Sequence, residues 1–159
     1  MGDHTETVQV DFDPGIISYT RLLDIFWDSH TYTHQTSIAQ YKNAVFYHNE
    51  AQYRQAVASG KALEQKTGKE VRTGILPLKS FTLAEDYHQK YLFKGSPLKH
   101  LLDRYYSRHE DFVNSTAAAR LNGYAGGNGT QKQLSEELPG LGVNEHGRKL
   151  LMNLVKNQY

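Results

Sequence analysis

Histidines and carboxylates offer the first candidates for chemistry. His30 and His34 lie four residues apart, a spacing that can put two imidazoles on one helical face and suits a metal pair. The stretch that holds them is polar, reads as a loop and brings no third ligand, so ordinary histidines are the plainer reading. Glu85-Asp86-Tyr87-His88 gathers two carboxylates, a phenol and an imidazole, the groups of general acid–base catalysis. Glu6 and Glu85 would form a hydrolytic carboxylate pair only inside a shared pocket. Gly123 to Thr130 holds four glycines in eight residues, yet it lacks the Gly-Lys-Ser/Thr ending and the preceding strand of a phosphate-binding loop. Arg120, Lys132, Arg148 and Lys149 are scattered and read as solvated. One chemistry is closed to these residues: with no cysteine they hold no thiolate nucleophile, no disulfide and no sulfur ligand for a metal.

Those residues need a folded frame, and the composition allows one. A chain of 159 residues with 38% hydrophobic content can form a domain with a core. Eighteen basic against seventeen acidic side chains give no electrostatic footprint for nucleic acid or an anionic membrane surface. No apolar run approaches the ~20 residues that span a bilayer, and the N-terminus shows no signal-peptide pattern. A cytoplasmic protein is expected, or a mitochondrial one if a leader precedes Met1. The eleven tyrosines and eight histidines read mainly as half-buried aromatics and surface imidazoles.

Local patterns predict the elements. Thr5 to Phe12 alternates polar and apolar residues and reads as a strand with one buried face. Asp13-Pro14-Gly15 is a turn. Ser18 caps a helix over Tyr19 to His30 with Leu22, Leu23, Phe26 and Trp27 on one stripe, and Ile17 can staple it. A loop over Thr31 to Ala39 leads to a strand within Asn43 to His48. Asn49 caps a helix running to Thr67, which Gly68 stops. Val71 to Leu76 is a strand closed by Pro77. Farther on, a short near-helical segment spans Ala84 to Leu92, and Leu98 to Arg108 reads as a helix through Leu98, Leu101, Leu102 and Tyr105. Asn114 or Ser115 caps Thr116 to Leu121. Gly123 to Thr130 is a loop, and Gln131 to Leu138 and Asn144 to Val155 are helices. The expected fold class is α/β (α+β two-layer), a sheet with flanking helices plus an added helical C-terminal region.

Three segments are more specific than a fold pattern. They are Gly2-Asp3-His4-Thr5-Glu6-Thr7-Val8 running into Asp13-Pro14 and Ile17-Ser18-Tyr19, then Gln40-Tyr41-Lys42-Asn43-Ala44-Val45-Phe46, then Ala84-Glu85-Asp86-Tyr87-His88-Gln89-Lys90-Tyr91-Leu92. In order and spacing this resembles the peptide methionine sulfoxide reductases of the A type over residues 2–94. Asn122-Gly123-Tyr124-Ala125-Gly126 resembles the family's C-terminal loop, with Ala125 where the recycling cysteine stands. Residues 95–121 would be an insertion.

The resemblance implies an enzyme that reduces methionine-S-sulfoxide in proteins, by thiolate attack on the sulfoxide sulfur and resolution of the sulfenic acid through a disulfide. It implies that Glu6 and Tyr41 contact the sulfoxide oxygen, and that His30, Glu85, Asp86, Tyr87 and His88 support the site. No metal or prosthetic group is implied; the reductant is thioredoxin or another dithiol. The partners implied are an oxidised-methionine protein or peptide and thioredoxin, with no nucleic acid and no membrane. The family's Gly-Cys-Phe-Trp segment is absent, and the loop before Tyr41 is shorter and carries no acid. The expectation is a single domain over 1–159 that is N-terminally incomplete, with 95–159 a mostly helical extension, inactive alone for want of a nucleophile. The rival readings are a non-catalytic binder of methionine sulfoxide or of a partner protein, and a vestigial chain that folds poorly.

Overall fold

A computed structural model describes residues 4–103 and 105–156. Gly2 and Asp3 of the first motif lie outside the described residues. The chain divides into two compact units, Met1–Phe81 and Thr82–Tyr159.

In the first unit, Ser18 caps α1 (Tyr19–Asp28) as its side chain accepts from the Arg21 N–H. The stripe read from the sequence buries Leu23 and Trp27. β1 (Ala44–Tyr47) leads through Asn49, which accepts from the Gln52 N–H, into α2 (Glu50–Thr67). Gly68 ends α2 at φ +67°, a left-handed conformation that glycine adopts without a Cβ clash. β2 (Gly74–Pro77) then pairs parallel with β1, Ala44 opposite Gly74 through Tyr47 opposite Pro77. The sequence β1-α2-β2 is therefore a βαβ unit. Its core packs Leu23, Trp27 and Ala56, with Val45, Leu63 and Ile75 against them, and Trp27 Nε1 donates to Ser59 Oγ at 3.0 Å.

The second unit is helical: α3 (Tyr91–Lys94), α4 (His109–Val113), α5 (Thr116–Ala125), α6 (Gln131–Glu137) and α7 (Glu145–Lys156). Ser115 caps α5 by accepting from the Ala118 N–H, and Thr130 caps α6 by accepting from Gln133 N–H. Phe93, Leu98, Leu121, Leu134, Leu141, Leu151 and Val155 are almost wholly enclosed. The mixed α/β class, with helices against a small parallel sheet, is what the sequence pattern predicts.

Three local expectations are corrected. Residues 5–12 form no strand: Val8 is 85% and Val10 58% exposed, and only the Glu6 N–H enters a backbone bond, to Gln40 O. Alternation marks a face, but a ladder needs a neighbour, and among the described residues this segment has none. Leu98 to Arg108 is not a helix either. Its bonds run from Lys99 N–H to Ser96 O, Leu101 to Leu98 and Tyr105 to Leu102. These three-residue turns keep Leu98 and Leu102 on the buried side much as a helix would. Finally, α5 continues through Gly123 to Ala125, because burial of Leu121 and Tyr124 outweighs the ~1 kcal/mol that a helical glycine costs.

Candidate functional site

The segment that carries Glu6 is held by the residues just before Tyr41. Thr5 Oγ1 donates to Ala39 O at 3.0 Å. Glu6 N–H donates to Gln40 O at 2.9 Å, and Gln40 Nε2 returns a bond to Glu6 Oε1 at 2.7 Å. Tyr41 closes a short 3₁₀ turn, Ala39–Tyr41, and is 57% exposed. Glu6 is exposed as well. The geometry therefore presents a carboxyl group and a phenol from adjoining backbone; the phenol is a neutral donor, and the carboxyl is a donor only when it carries a proton.

Gln35 positions the Tyr41 segment. Its Nε2 donates to Asn43 O at 2.9 Å and to Arg72 O at 3.1 Å. Its Oε1 accepts from the Asn43 N–H at 2.9 Å and the Thr36 N–H at 3.1 Å. One amide thus locks the loop to the start of β1 and to the approach to β2. Gln40 heads the second family motif without an assigned role, whereas Gln35 stands in the sequence as no more than a polar loop residue, since a glutamine shows no role until its partners are known.

His30 is a brace. Nδ1 lies 2.7 Å from Phe26 O, and Nε2 lies 2.8 Å from Thr73 Oγ1. A carbonyl only accepts, so Nδ1 carries the proton; in the neutral ring Nε2 then accepts from the Thr73 hydroxyl. The ring packs 4.4 Å from Phe26, which ties the end of α1 to the buried Thr73. Among the described residues no group of three or more histidines and acids could hold a metal ion.

In the second unit Glu85, Asp86, Tyr87 and His88 share one exposed turn. His88 N–H donates to Glu85 O at 2.9 Å, and the His88 imidazole lies 3.9 Å from the Glu85 carboxylate. The His88 ring rests 4.2 Å from Tyr87. Asp86 anchors the turn: the Lys94 ammonium donates to its carbonyl, and its carboxylate lies 3.3 Å from His109 Nε2. At Lys90 the backbone takes φ +51°, a left-handed conformation uncommon for lysine, and burial pushes its ammonium below the usual lysine range.

Ala125 ends α5, half-buried against the second core. The neighbouring motif residues hold structure. Asn122 Oδ1 accepts from the Phe93 N–H at 3.0 Å, and Tyr124 donates to Glu137 Oε2 at 2.8 Å. Burial first, then the Glu137 hydrogen bond and charge, pushes the Tyr124 phenol far above its ordinary value.

Comparison with known proteins adds a family to this geometry. The family model described as peptide methionine sulfoxide reductase matches residues 1–121. A peptide methionine sulfoxide reductase of Drosophila melanogaster is 37% identical over 145 residues, covering 90% of this chain and 58% of its own length. The MsrA protein of Methanosarcina acetivorans is 42% identical over 107 residues, 62% of this chain and 56% of its own. An MsrA of Synechocystis is 41% identical over 104 residues, 60% of this chain and 47% of its own. The chain thus spans about half the length of the curated relatives it matches. The family match runs past the boundary between the two compact units, and the 90% cover by the fly protein takes in most of the second unit.

Proposed function

The chain belongs to the peptide methionine sulfoxide reductase family, of the A type, and from that premise we propose that it carries the oxygen-contacting part of a methionine-S-sulfoxide site without the thiol that performs the reduction. In this reading the Tyr41 hydroxyl and the Glu6 carboxyl in its protonated form donate to the sulfoxide oxygen, while His30, Glu85, Asp86, Tyr87 and His88 support the site. The two compact units make up one reductase-like domain, with 95–159 its helical extension.

The observation that carries the reading is the reciprocal Glu6–Gln40 pair, which ties the Glu6 carboxyl to the residue that precedes Tyr41. The missing thiol decides the rest. Reduction of a sulfoxide needs a thiolate that attacks the sulfur and leaves as a sulfenic acid, while the substrate becomes a thioether. A second thiol then forms a disulfide and releases water. These 159 residues contain no cysteine, and Ala125 fills the recycling position. Any thiol must come from outside them, with thioredoxin or a small dithiol as the final reductant. The broader role is repair of oxidised methionine in cytoplasmic proteins.

A second reading, a non-catalytic binder of methionine sulfoxide, draws on the same observation, since an oxygen grip needs no thiol. Titration with a methionine-S-sulfoxide peptide tests the shared step. Amide shifts at Glu6, Gln40 and Tyr41 that saturate at millimolar peptide, and weaken in Glu6→Ala, are expected. Identical behaviour with the unoxidised methionine peptide, or no shift at millimolar peptide, overturns the assignment of Glu6 and Tyr41.

A further inference from the structure

The second unit holds a cavity of about 380 Å³ lined by Tyr106 and Phe112 on its apolar side, which is within the range of small-molecule sites. Its chemistry is two-sided. The apolar side is built around Phe112, whose ring lies 5.8 Å from Phe93 and 6.0 Å from Tyr106. The Tyr106 hydroxyl is engaged with Ser115 Oγ, so what this residue offers a ligand is its ring. The polar side carries Lys94, Lys99, Arg108 and His109.

Asp103 is the sole acid in the lining, and it is already held by His100 Nδ1 at 2.8 Å. Lys94 sits 5.5 Å above the Phe112 ring. Arg108 is paired with the exposed Glu110 at 2.6 Å, which leaves further guanidinium N–H groups to donate. Lys99 makes no ion pair among the described residues. His109 Nε2 is shielded from solvent and faces the Asp86 carboxylate at 3.3 Å, so the imidazole belongs to the wall rather than to the ligand donors.

We propose that this cavity binds a small aromatic anion, an aryl carboxylate or aryl phosphate, with its ring against Tyr106 and Phe112 and its charged group toward Lys99 and Arg108. Flat rings stack on aromatic faces, and a carboxylate or phosphate matches lysine and arginine donors. The site lies in the second unit, whereas Glu6 and Tyr41 lie in the first, so it does not depend on the sulfoxide reading.

The test titrates the full chain with phenyl phosphate, benzoate, benzyl alcohol and inorganic phosphate, read by amide chemical shifts. Phenyl phosphate or benzoate should give saturable shifts within residues 93–112. Their affinity should exceed that of benzyl alcohol and of inorganic phosphate by about tenfold, since each control lacks one half of the recognition. Whichever of the two anions binds more tightly supports the proposal and identifies the head group. The double variant Lys99→Gln, Arg108→Gln should keep a dispersed spectrum and lose about tenfold in affinity. The proposal is overturned by the absence of saturable shifts, by benzyl alcohol or inorganic phosphate binding as tightly as the aromatic anions, or by an undiminished affinity in the double variant.

Discussion

Replacing Gly60 with alanine should stabilise the first unit, and the magnitude follows from its surroundings. Gly60 lies buried within α2. A Cβ built there meets Trp27 Cζ2 at 3.7 Å and Cη2 at 3.9 Å, which is ordinary van der Waals contact rather than a clash. Two gains then act together. Alanine is about 1 kcal/mol better than glycine inside a helix because it has less backbone entropy to lose. The added methyl also packs on the indole, for up to ~0.8 kcal/mol. Gly60→Ala should therefore gain about 1–2 kcal/mol, and each kcal/mol raises the melting temperature of a unit this size by about 4–8 °C. Trp27 is the only tryptophan, so urea unfolding followed by its fluorescence reports this unit. A lower urea midpoint in Gly60→Ala would refute the reasoning, because α2 would then have to approach Trp27 too closely to admit a methyl.

Three more outcomes concern the second unit. Gly129→Ala should cost about 2 kcal/mol, because Gly129 has φ +100° and a Cβ there would lie 2.6 Å from Tyr124 Cε1; a circular-dichroism melt in urea checks it. Ser115→Ala removes the acceptor for the Ala118 N–H and the partner of the Tyr106 hydroxyl, and the same melt should show a loss of about 1–2 kcal/mol. The third is a pH effect. The folded-state pKa of Tyr124 is raised by burial and then by Glu137, so above the ordinary tyrosine value the unfolded chain releases a proton that the folded chain keeps. The stability associated with Tyr124 is thus complete below pH ~10 and declines as pH rises beyond it. Tyr124→Phe should show a shallower decline above that pH; a decline as steep as the parent's would contradict the assignment.

Much of this fold could be read from the sequence where its cause is local. Ser18, Asn49, Ser115 and Gly68 act through hydrogen bonds or a φ angle within a few residues; three cap where the pattern places them, and Ser115 is the one of two candidates, Asn114 or Ser115, that caps α5. The run 5–12 carries a strand's alternation without forming one, because alternation says nothing about whether a neighbouring strand is present. Leu98, Leu101, Leu102 and Tyr105 share a spacing that suits both a helix and successive tight turns, and the apolar pattern alone does not separate them. At the candidate site, Glu6 and Tyr41 came from family motifs. Gln35, and the role of the motif residue Gln40, become visible only through their bonds to Asn43, Arg72 and Glu6. His30 was chosen for its resemblance to a family histidine; its bonds to Phe26 and Thr73 give it a bracing role that no spacing rule would suggest.

The most direct test of the account is turnover by the purified 159-residue chain. The chain is incubated with a methionine-S-sulfoxide peptide and excess dithiol, and the methionine peptide is quantified by mass. The account predicts no methionine above the level given by dithiol alone, because the chain has no thiolate to form the sulfenic acid. Catalytic production of methionine that depends on the chain would contradict it, and would mean that a group other than cysteine performs the attack.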